Sequence, residues 1–153
     1  MDLSKLFQED SVVVELKATS KKQVLFQLCE RAADMTGLSA RDVLDVILDR
    51  ERLGTTGVGD GVAIPHGKIE GLDRIVGVFA RLAEPIDFDA VDGEPVDLIC
   101  LLLAPASAGA EHLKALACVA RLLRDQNMCD KLRGSGEADA LYALLTDDTA
   151  HAA

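Results

Sequence analysis

Among the three histidines of this sequence, His66 has the surroundings best suited to chemistry. It lies in the segment Gly61–Gly67, where Pro65 precedes it and Gly67 follows it. Proline fixes its own φ and restricts Ile64 to extended conformations, so the imidazole projects from a stiff strand end. Glycine leaves the approach to the ring uncrowded. An unperturbed histidine, with a pKa near ~6.5, is mostly neutral at pH 7, and its ring nitrogen can attack a phosphorus atom in line.

A glycine-rich segment, residues 54–61, immediately precedes this region and holds four glycines. We expect it to be a loop whose backbone N–H groups can hold phosphate oxygens. It lacks the Gly-Lys-[Ser/Thr] ending of a P-loop and the strand context of a dinucleotide fingerprint, so a plain connecting loop is the alternative. For His66 the alternative is a structural histidine that hydrogen-bonds a loop, and the local sequence leaves both open. The candidate phosphate-binding glycines are Gly57, Gly59, Gly61 and Gly67.

His112 and Arg50 are the other candidate site residues. His112 falls near the start of a predicted helix, where anions are favoured, although a partly buried histidine bonded to backbone is the alternative. Arg50 falls at the end of another predicted helix. Its guanidinium can grip phosphate oxygens with two parallel hydrogen bonds, and a solvated, charged helix end is the alternative. His151 lies in the C-terminal tail, and we assign it no role.

Other chemistries find little support in the sequence. A metal site needs three or more ligands, and two histidines with scattered cysteines give no metal spacing. A serine hydrolase of the common type needs Gly-x-Ser-x-Gly, which is absent. We therefore expect no metal and no cofactor. No two cysteines lie within four positions, so no CxxC motif is present. Three of the four sit in apolar periodic stretches, so we expect buried, reduced thiols and a reducing compartment. The four cysteines are Cys29, Cys100, Cys118 and Cys129.

Charge and hydropathy narrow the classes of partner. The chain has 153 residues and a formal net charge of −10. Nucleic-acid phosphates and anionic membranes attract basic surfaces, so we expect neither as a partner. The longest apolar run, Leu98–Pro105, is too short to span a bilayer, and the N-terminal residues lack the features of a signal peptide. We expect one cytoplasmic domain spanning residues 1–153.

Hydrophobic periodicity predicts a mixture of helices and strands. The predicted helices cover residues 21–36, 40–52, 109–125 and 137–145, with a helical turn at 128–133. The predicted strands cover residues 12–16, 62–64, 74–82 and 96–104, with a short edge segment at 86–88. We expect an α/β domain in a single layered unit, with a mixed, mostly buried β-sheet flanked by helices on both faces. Its core covers about residues 3–145, and residues 146–153 form a frayed tail.

Several segments together resemble a known family. They are Arg50-Glu51-Arg52 and residues 54–67, 86–98, 101–105 and 111–116. In this pattern the chain resembles the fructose/mannitol-type enzyme IIA domain of the bacterial phosphotransferase system, from about residue 3 to residue 145. The resemblance implies a mixed sheet flanked by helices. It also implies that His66 accepts a phosphoryl group from a small, histidine-phosphorylated, HPr-like carrier protein, that His112 lines the same site, and that Arg50 stabilises charge.

The resemblance extends to a subtype. Sugar-transporting members are often fused to a IIB domain or to a membrane IIC domain, for which this chain has no room. It therefore resembles the nitrogen-regulatory branch, which signals through its phosphorylation state and binds regulatory protein targets. One alternative is a sugar-specific enzyme IIA that passes phosphate to a IIB transporter component. A second alternative is a non-catalytic interaction domain whose histidines are structural.

Overall fold

A computed structural model describes residues 2–147, and within them six strands form one sheet. The strands are β1 (Val12–Leu16), β2 (Gly57–Gly59), β3 (Val62–Ala63), β4 (His66–Ile69), β5 (Val76–Ile86) and β6 (Val96–Pro105). The α-helices are α1 (Lys21–Thr36), α2 (Ala40–Arg52), α3 (Ala110–Arg124), α4 (Gln126–Gly134) and α5 (Ala138–Thr146). Two short 3₁₀ helices, Leu3–Lys5 and Glu9–Ser11, precede β1. Most of the predicted frayed tail, residues 148–153, lies outside the described part of the chain.

The central strand of the sheet is β6, as its apolar sequence predicts. It pairs antiparallel with β5 along one edge, and parallel with both β3 and β4 along the other. The strand order is β1-β5-β6-β3-β2, and β1 pairs parallel with β5. Residues 98–104 of β6 are all buried. A strand that is apolar on both faces needs cover on both sides, which the helices provide.

The helices form two layers, one on each face of the sheet. Successive side chains of β5 and β6 alternate between two apolar clusters. The cluster beneath α1 and α2 takes Val78, Ala80, Ile99 and Leu101. The cluster beneath α3, α4 and α5 takes Phe79, Leu98, Cys100 and Leu102. The predicted fold class, a mixed and largely buried sheet flanked by helices on both faces, is confirmed.

We expected the glycine-rich segment to be a loop. The structure differs, because this segment contains β2. A two-residue turn at Asp60-Gly61 joins β2 to β3, with φ of 57° and 80° at the two residues. Positive φ at both central positions is typical of a type I′ hairpin turn, for which Asp-Gly is a preferred sequence. Arg133 of α4 fixes this turn, since its Nη2 donates to the carbonyl oxygen of Asp60 at 3.0 Å and its guanidinium pairs with Asp97.

The sequence also gives no sign of β4. Proline has no N–H to donate, so the sequence predicts that the strand at 62–64 stops before Pro65. Instead, the chain continues past Pro65 as β4, along the same edge of β6 and in the same register as β3. Val62 lies opposite Leu98, and His66 lies opposite Leu102. The proline removes one donor, but its carbonyl oxygen still accepts from the N–H of Leu102 at 2.9 Å.

Two further boundaries differ from the prediction. The strand predicted at 74–82 continues as β5 to Ile86, so the edge segment expected at 86–88 begins inside β5. The helical turn expected at 128–133 is a nine-residue helix, α4. The side chain of Asp125 caps α4 by accepting from the N–H groups of Asn127 and Met128.

Candidate active site

His66 is the first residue of β4, and its side chain faces α3. Side chains alternate along a strand, so Gly67 and Ile69 share the opposite face. Ile69 packs in the cluster beneath α1 and α2, and a Cβ built on Gly67 lies 2.5 Å from Cγ1 of Val46 in α2. On the α3 side, the ring centroid of His66 lies 5.7 Å from that of His112, with 50° between the ring planes. The fold thus brings the two predicted histidines together.

One hydrogen bond determines which nitrogen of His66 is available. Its Nδ1 lies 2.9 Å from the carbonyl oxygen of Ile64. A carbonyl oxygen can only accept, so in the neutral ring Nδ1 carries the proton and donates it. The other nitrogen, Nε2, then has a free lone pair. The half-buried imidazole is therefore held as a nucleophile by the residue two positions before it.

The surroundings of His66 keep its ring neutral. Burial lowers the pKa of His66, because the imidazolium loses solvation. The hydrogen bond to Ile64 opposes this shift, the positive charge of Arg50 lowers the pKa further, and the negative charge of Glu51 raises it. The net effect is a pKa below the ordinary value of 6.5. At neutral pH the unprotonated, nucleophilic form of His66 therefore predominates.

This shift predicts a pH dependence. In an NMR titration we expect the His66 ring to titrate below ~6.5 in the folded chain and near ~6.5 in the unfolded chain. The unfolded chain then binds the proton more tightly, so the free energy of unfolding falls as pH drops below ~6.5 towards the folded-state pKa. Urea unfolding at several pH values, compared with a His66→Gln variant that lacks this contribution, measures the effect. A folded-state midpoint at or above ~6.5 would contradict the prediction.

His112 is the third residue of α3 and is only 6% exposed. Its Nδ1 is buried and has no hydrogen-bond partner within residues 2–147. Burial lowers the pKa of His112, and the nearby charges of His66 and Lys68 lower it further. A low pKa favours a neutral ring. Two neutral imidazoles therefore meet between β4 and the N-terminal turn of α3.

Arg50 brings a permanent positive charge to the same region. It lies in the last turn of α2, and its Nη1 donates to the carbonyl oxygen of Gly54 at 2.9 Å. This bond ties the guanidinium to the start of the glycine-rich segment. The charge of Arg50 lowers the pKa of His66, so it acts on that ring. The structure thus assembles all three predicted residues, namely His66, His112 and Arg50.

The chain resembles known proteins along almost its whole length. The family model described as "Phosphoenolpyruvate-dependent sugar phosphotransferase system, EIIA 2" matches residues 5–148. The chain belongs to this family. A nitrogen regulatory protein of Bradyrhizobium diazoefficiens is 54% identical over 153 residues, covering all of both chains. A fructose-specific EIIA component of Haloferax volcanii is 36% identical, covering 95% of this chain and 96% of that one.

A solved structure supports the same placement of this enzyme IIA domain. The crystal structure of nitrogen regulatory protein IIA-Ntr from Neisseria meningitidis superposes with a TM-score of 0.89 at 35% identity. The match covers 94% of this chain and 99% of that one. The resemblance to type-2 enzyme IIA domains, and within them to the nitrogen-regulatory branch, is therefore confirmed.

Three glycines in the glycine-rich segment of this enzyme IIA domain occupy positions where a side chain does not fit or is strained. A Cβ on Gly57 would lie 2.9 Å from the backbone and side chain of Ala90. Gly59 has a φ of 107°, which side chains rarely adopt. A Cβ on Gly61 would lie 2.5 Å from Nη2 of Arg133. These requirements of the backbone explain the glycines, and phosphate binding by their N–H groups remains a prediction.

Gly67→Ala tests the packing behind His66. The added methyl group would overlap Cγ1 of Val46, so we expect a loss of about 1–3 kcal/mol in the free energy of unfolding. Adding Val46→Ala removes the overlapping atom, so the effects of the two substitutions should be non-additive. Gly136→Ala is the control, since nothing lies near its Cβ position, and we expect a change within about 0.5 kcal/mol. Urea denaturation measures the free energy of unfolding of Gly67→Ala, Val46→Ala, the double variant and Gly136→Ala. A Gly67→Ala variant as stable as the wild type would refute this packing.

The sequence does not single out Glu51, whose side chain contacts the glycine-rich segment next to the site. Its side chain is only 6% exposed and pairs with Nζ of Lys21 at 2.8 Å. It accepts hydrogen bonds from the backbone N–H and the hydroxyl of Thr56. The ammonium of Lys21 also lies 4.6 Å from the ring centroid of Phe88. Lys21 lies thirty positions before Glu51, so no local sequence pattern could have indicated this contact.

In residues 2–147, no group of three or more histidine, cysteine or acidic side chains is placed to hold a metal ion. No helix in this part of the chain has the length and apolar character needed to cross a membrane. All four cysteines are free thiols, and burial raises the pKa of Cys29 to about 12. The buried Cys29 thiol therefore gives no sign of reactivity.

Proposed function

We propose that this enzyme IIA domain accepts a phosphoryl group on Nε2 of His66 from a small, histidine-phosphorylated, HPr-like carrier protein. The observation that carries the proposal is the hydrogen bond from Nδ1 to Ile64, which leaves Nε2 as the nucleophile. Its lone pair forms a new N–P bond while the N–P bond of the donor histidine breaks. The electron pair of the broken bond returns to the donor nitrogen, and the donor ring, which is protonated on its other nitrogen, leaves as a neutral imidazole. His66 keeps its Nδ1 proton, so the positive ring charge passes from the donor ring to the phosphorylated ring of His66.

Charge on the transferring group needs stabilisation, and the site offers it. The three equatorial oxygens carry negative charge during in-line transfer. Arg50 can pair with them, and His112 lies beside His66 at the N-terminal turn of α3. Backbone N–H groups of the glycine-rich segment are further candidate donors. Groups already fixed by folding stabilise such charge without reorganising.

The elements around the site also suit a protein partner. Four large apolar side chains, at the end of α2, in β2, in the connection between β5 and β6 and in α3, are more than half exposed and can contact a protein partner. They are Leu53, Val58, Val91 and Leu113. A phosphoryl group adds about −1.5 to −2 charge at neutral pH. Phosphorylation would thus change which proteins bind here, and through this change the domain signals to regulatory targets.

The regulatory role is favoured over sugar transport by the relatives that are nitrogen regulatory proteins. The fructose-specific relative supports a second candidate function, sugar transport, in which the phosphoryl group passes from His66 to the cysteine of a separate IIB component. Mixing the phosphorylated chain with a purified IIB protein separates the two roles. Retention of the phosphoryl group supports regulation, and rapid transfer to the IIB cysteine supports transport. We place the chain in the cytoplasm, where a carrier protein and free thiols are both found.

Incubation of the chain with phosphorylated HPr-like carrier tests the proposal as a whole. We expect the intact mass to rise by one phosphoryl group, and fragmentation at neutral pH to locate that group on His66. The unphosphorylated carrier serves as the control for non-covalent association. If the mass does not change while the chain is folded, the domain is an interaction module with structural histidines.

A further inference from the structure

We propose that Glu51 is a positioning residue that fixes the tautomer of His66 through the backbone of Thr56 and Ile64. Glu51 does not touch the reacting nitrogen. It acts through a series of hydrogen bonds that ends on Nδ1 of His66. The consequence for phosphoryl transfer rests on the proposed function, whereas the effect on the tautomer does not.

The series of bonds is continuous. Nζ of Lys21 lies 2.8 Å from Oε2 of Glu51. The same oxygen accepts from the backbone N–H of Thr56 at 3.2 Å. The carbonyl oxygen of Thr56 accepts from the N–H of Ile64 at 2.9 Å, and the carbonyl oxygen of Ile64 accepts from Nδ1 of His66 at 2.9 Å. The position of the glutamate carboxylate therefore determines where the last acceptor lies.

Ile64 needs this support because it lies in the gap between β3 and β4. Its N–H bonds to Thr56, and the next residue, Pro65, has no N–H to donate. Its carbonyl oxygen is the acceptor for His66. The peptide groups that orient the imidazole are thus held from the glycine-rich segment, and Glu51 in turn holds that segment to the end of α2.

The contacts of Glu51 match an ionised carboxylate. Such a group is an acceptor only, and it here receives the N–H and hydroxyl of Thr56 and the ammonium of Lys21. A buried charge is tolerated when it is paired and hydrogen-bonded in this way. A glutamine of the same shape has one acceptor oxygen and a donor NH₂ group. Glu51→Gln therefore breaks this pattern while changing few other contacts.

The charged groups around His66 determine how Glu51→Gln should change the pKa of His66. Arg50 and Glu51 act on the ring from α2, His112 faces it from α3, and Lys68 follows it on β4. The charge of Glu51 raises the pKa of His66. Removing that charge should therefore lower the pKa of His66 and leave the ring neutral at pH 7.

The experiment compares full-length Glu51→Gln with Asp49→Asn. Asp49 lies on the same helix, but its side chain is 70% exposed and pairs with Arg52 instead of the glycine-rich segment. Long-range ¹H–¹⁵N spectra at pH 7.5 report the tautomer of His66. We expect Nδ1–H in the wild type and in Asp49→Asn, and a mixture with Nε2–H in Glu51→Gln. Labelling by phosphorylated carrier should fall about 10- to 100-fold in Glu51→Gln, since a misplacement of about 1 Å can cost about 100-fold.

A second pair of variants covers a Glu51→Gln chain that does not fold. Thr56→Val removes the hydroxyl that bonds to Glu51, and Thr56→Ser keeps it. We expect Nε2–H of His66 to increase in the valine variant only. An unchanged tautomer in folded Glu51→Gln, or in Thr56→Val, overturns the inference and leaves Glu51 as a stabilising contact. If the tautomer of His66 changes in Glu51→Gln but the wild-type chain takes no phosphoryl group, the inference is supported and the proposed function is refuted.

Discussion

Replacement of His66 by alanine should abolish labelling of this chain by phosphorylated HPr-like carrier. In the proposed mechanism Nε2 of His66 is the nucleophile, and the other histidine of the site, His112, is buried, with its ring centroid 5.7 Å from that of His66. The intact mass of His66→Ala should stay unchanged after incubation times that label the wild type completely. A residual mass gain would mean that another side chain accepts the phosphoryl group.

The variant should remain folded, so that loss of labelling reports chemistry. His66 is half-buried, and its loss removes one hydrogen bond to Ile64, worth about 1 kcal/mol. Circular dichroism and thermal unfolding check this point. His151→Ala is the control for a second histidine, and we expect full labelling. Labelling of folded His66→Ala at the wild-type level would falsify the assignment of His66.

The sequence was most informative where local patterns decide the structure. The predicted helices at 21–36 and 40–52 are confirmed as α1 and α2, and each begins after a serine, Ser20 or Ser39, whose side chain accepts a hydrogen bond from an N–H of the first turn. The strand predicted at 96–104 is apolar on both faces, as expected of a central strand, and β6 pairs on both edges. In these places one segment carries the whole signal. Neither a partner strand nor a distant charge was needed to interpret it.

The sequence was less informative where the structure depends on distant partners. β4 was missed because Pro65 interrupts the pattern, and only its register with β6 shows that the strand continues. The sequence does not single out Glu51 from the charged end of its helix, although the side chain of Glu51 is buried against Thr56 and Lys21. Gly67 was chosen for phosphate binding, yet its lack of a side chain allows close packing with α2. These roles need three-dimensional neighbours to be seen.

For the candidate site, the family resemblance supplied what single residues could not. His66, His112 and Arg50 each had a structural alternative when taken alone. The structure brings the three together, which their separations of 46 and 16 positions along the chain do not indicate. It also adds the hydrogen bond that selects Nε2 of His66. The tautomer was beyond the reach of the sequence, because it depends on the carbonyl orientation of a residue between two short strands.

His112→Gln should slow labelling of His66 by about 100-fold without abolishing it, the usual cost of removing one preorganised donor from a charged transition state. His112 is 6% exposed and lies in the first turn of α3, with its ring beside that of His66. Glutamine keeps a polar side chain there but cannot place an imidazole N–H against the phosphoryl oxygens. Single-turnover labelling in a quench-flow instrument measures the rate constant.

Lys114→Gln is the matched control for His112→Gln, because Lys114 lies two positions further along α3 and is exposed. We expect it to change the docking of the carrier at most slightly, and to leave the rate constant at saturating carrier unchanged. The tautomer of His66 should stay Nδ1–H in both variants, since neither side chain contributes to the bonds that reach Ile64. If His112→Gln instead labels at the wild-type rate, His112 is a buried structural histidine, and Arg50 with the backbone N–H groups must carry the charge stabilisation alone.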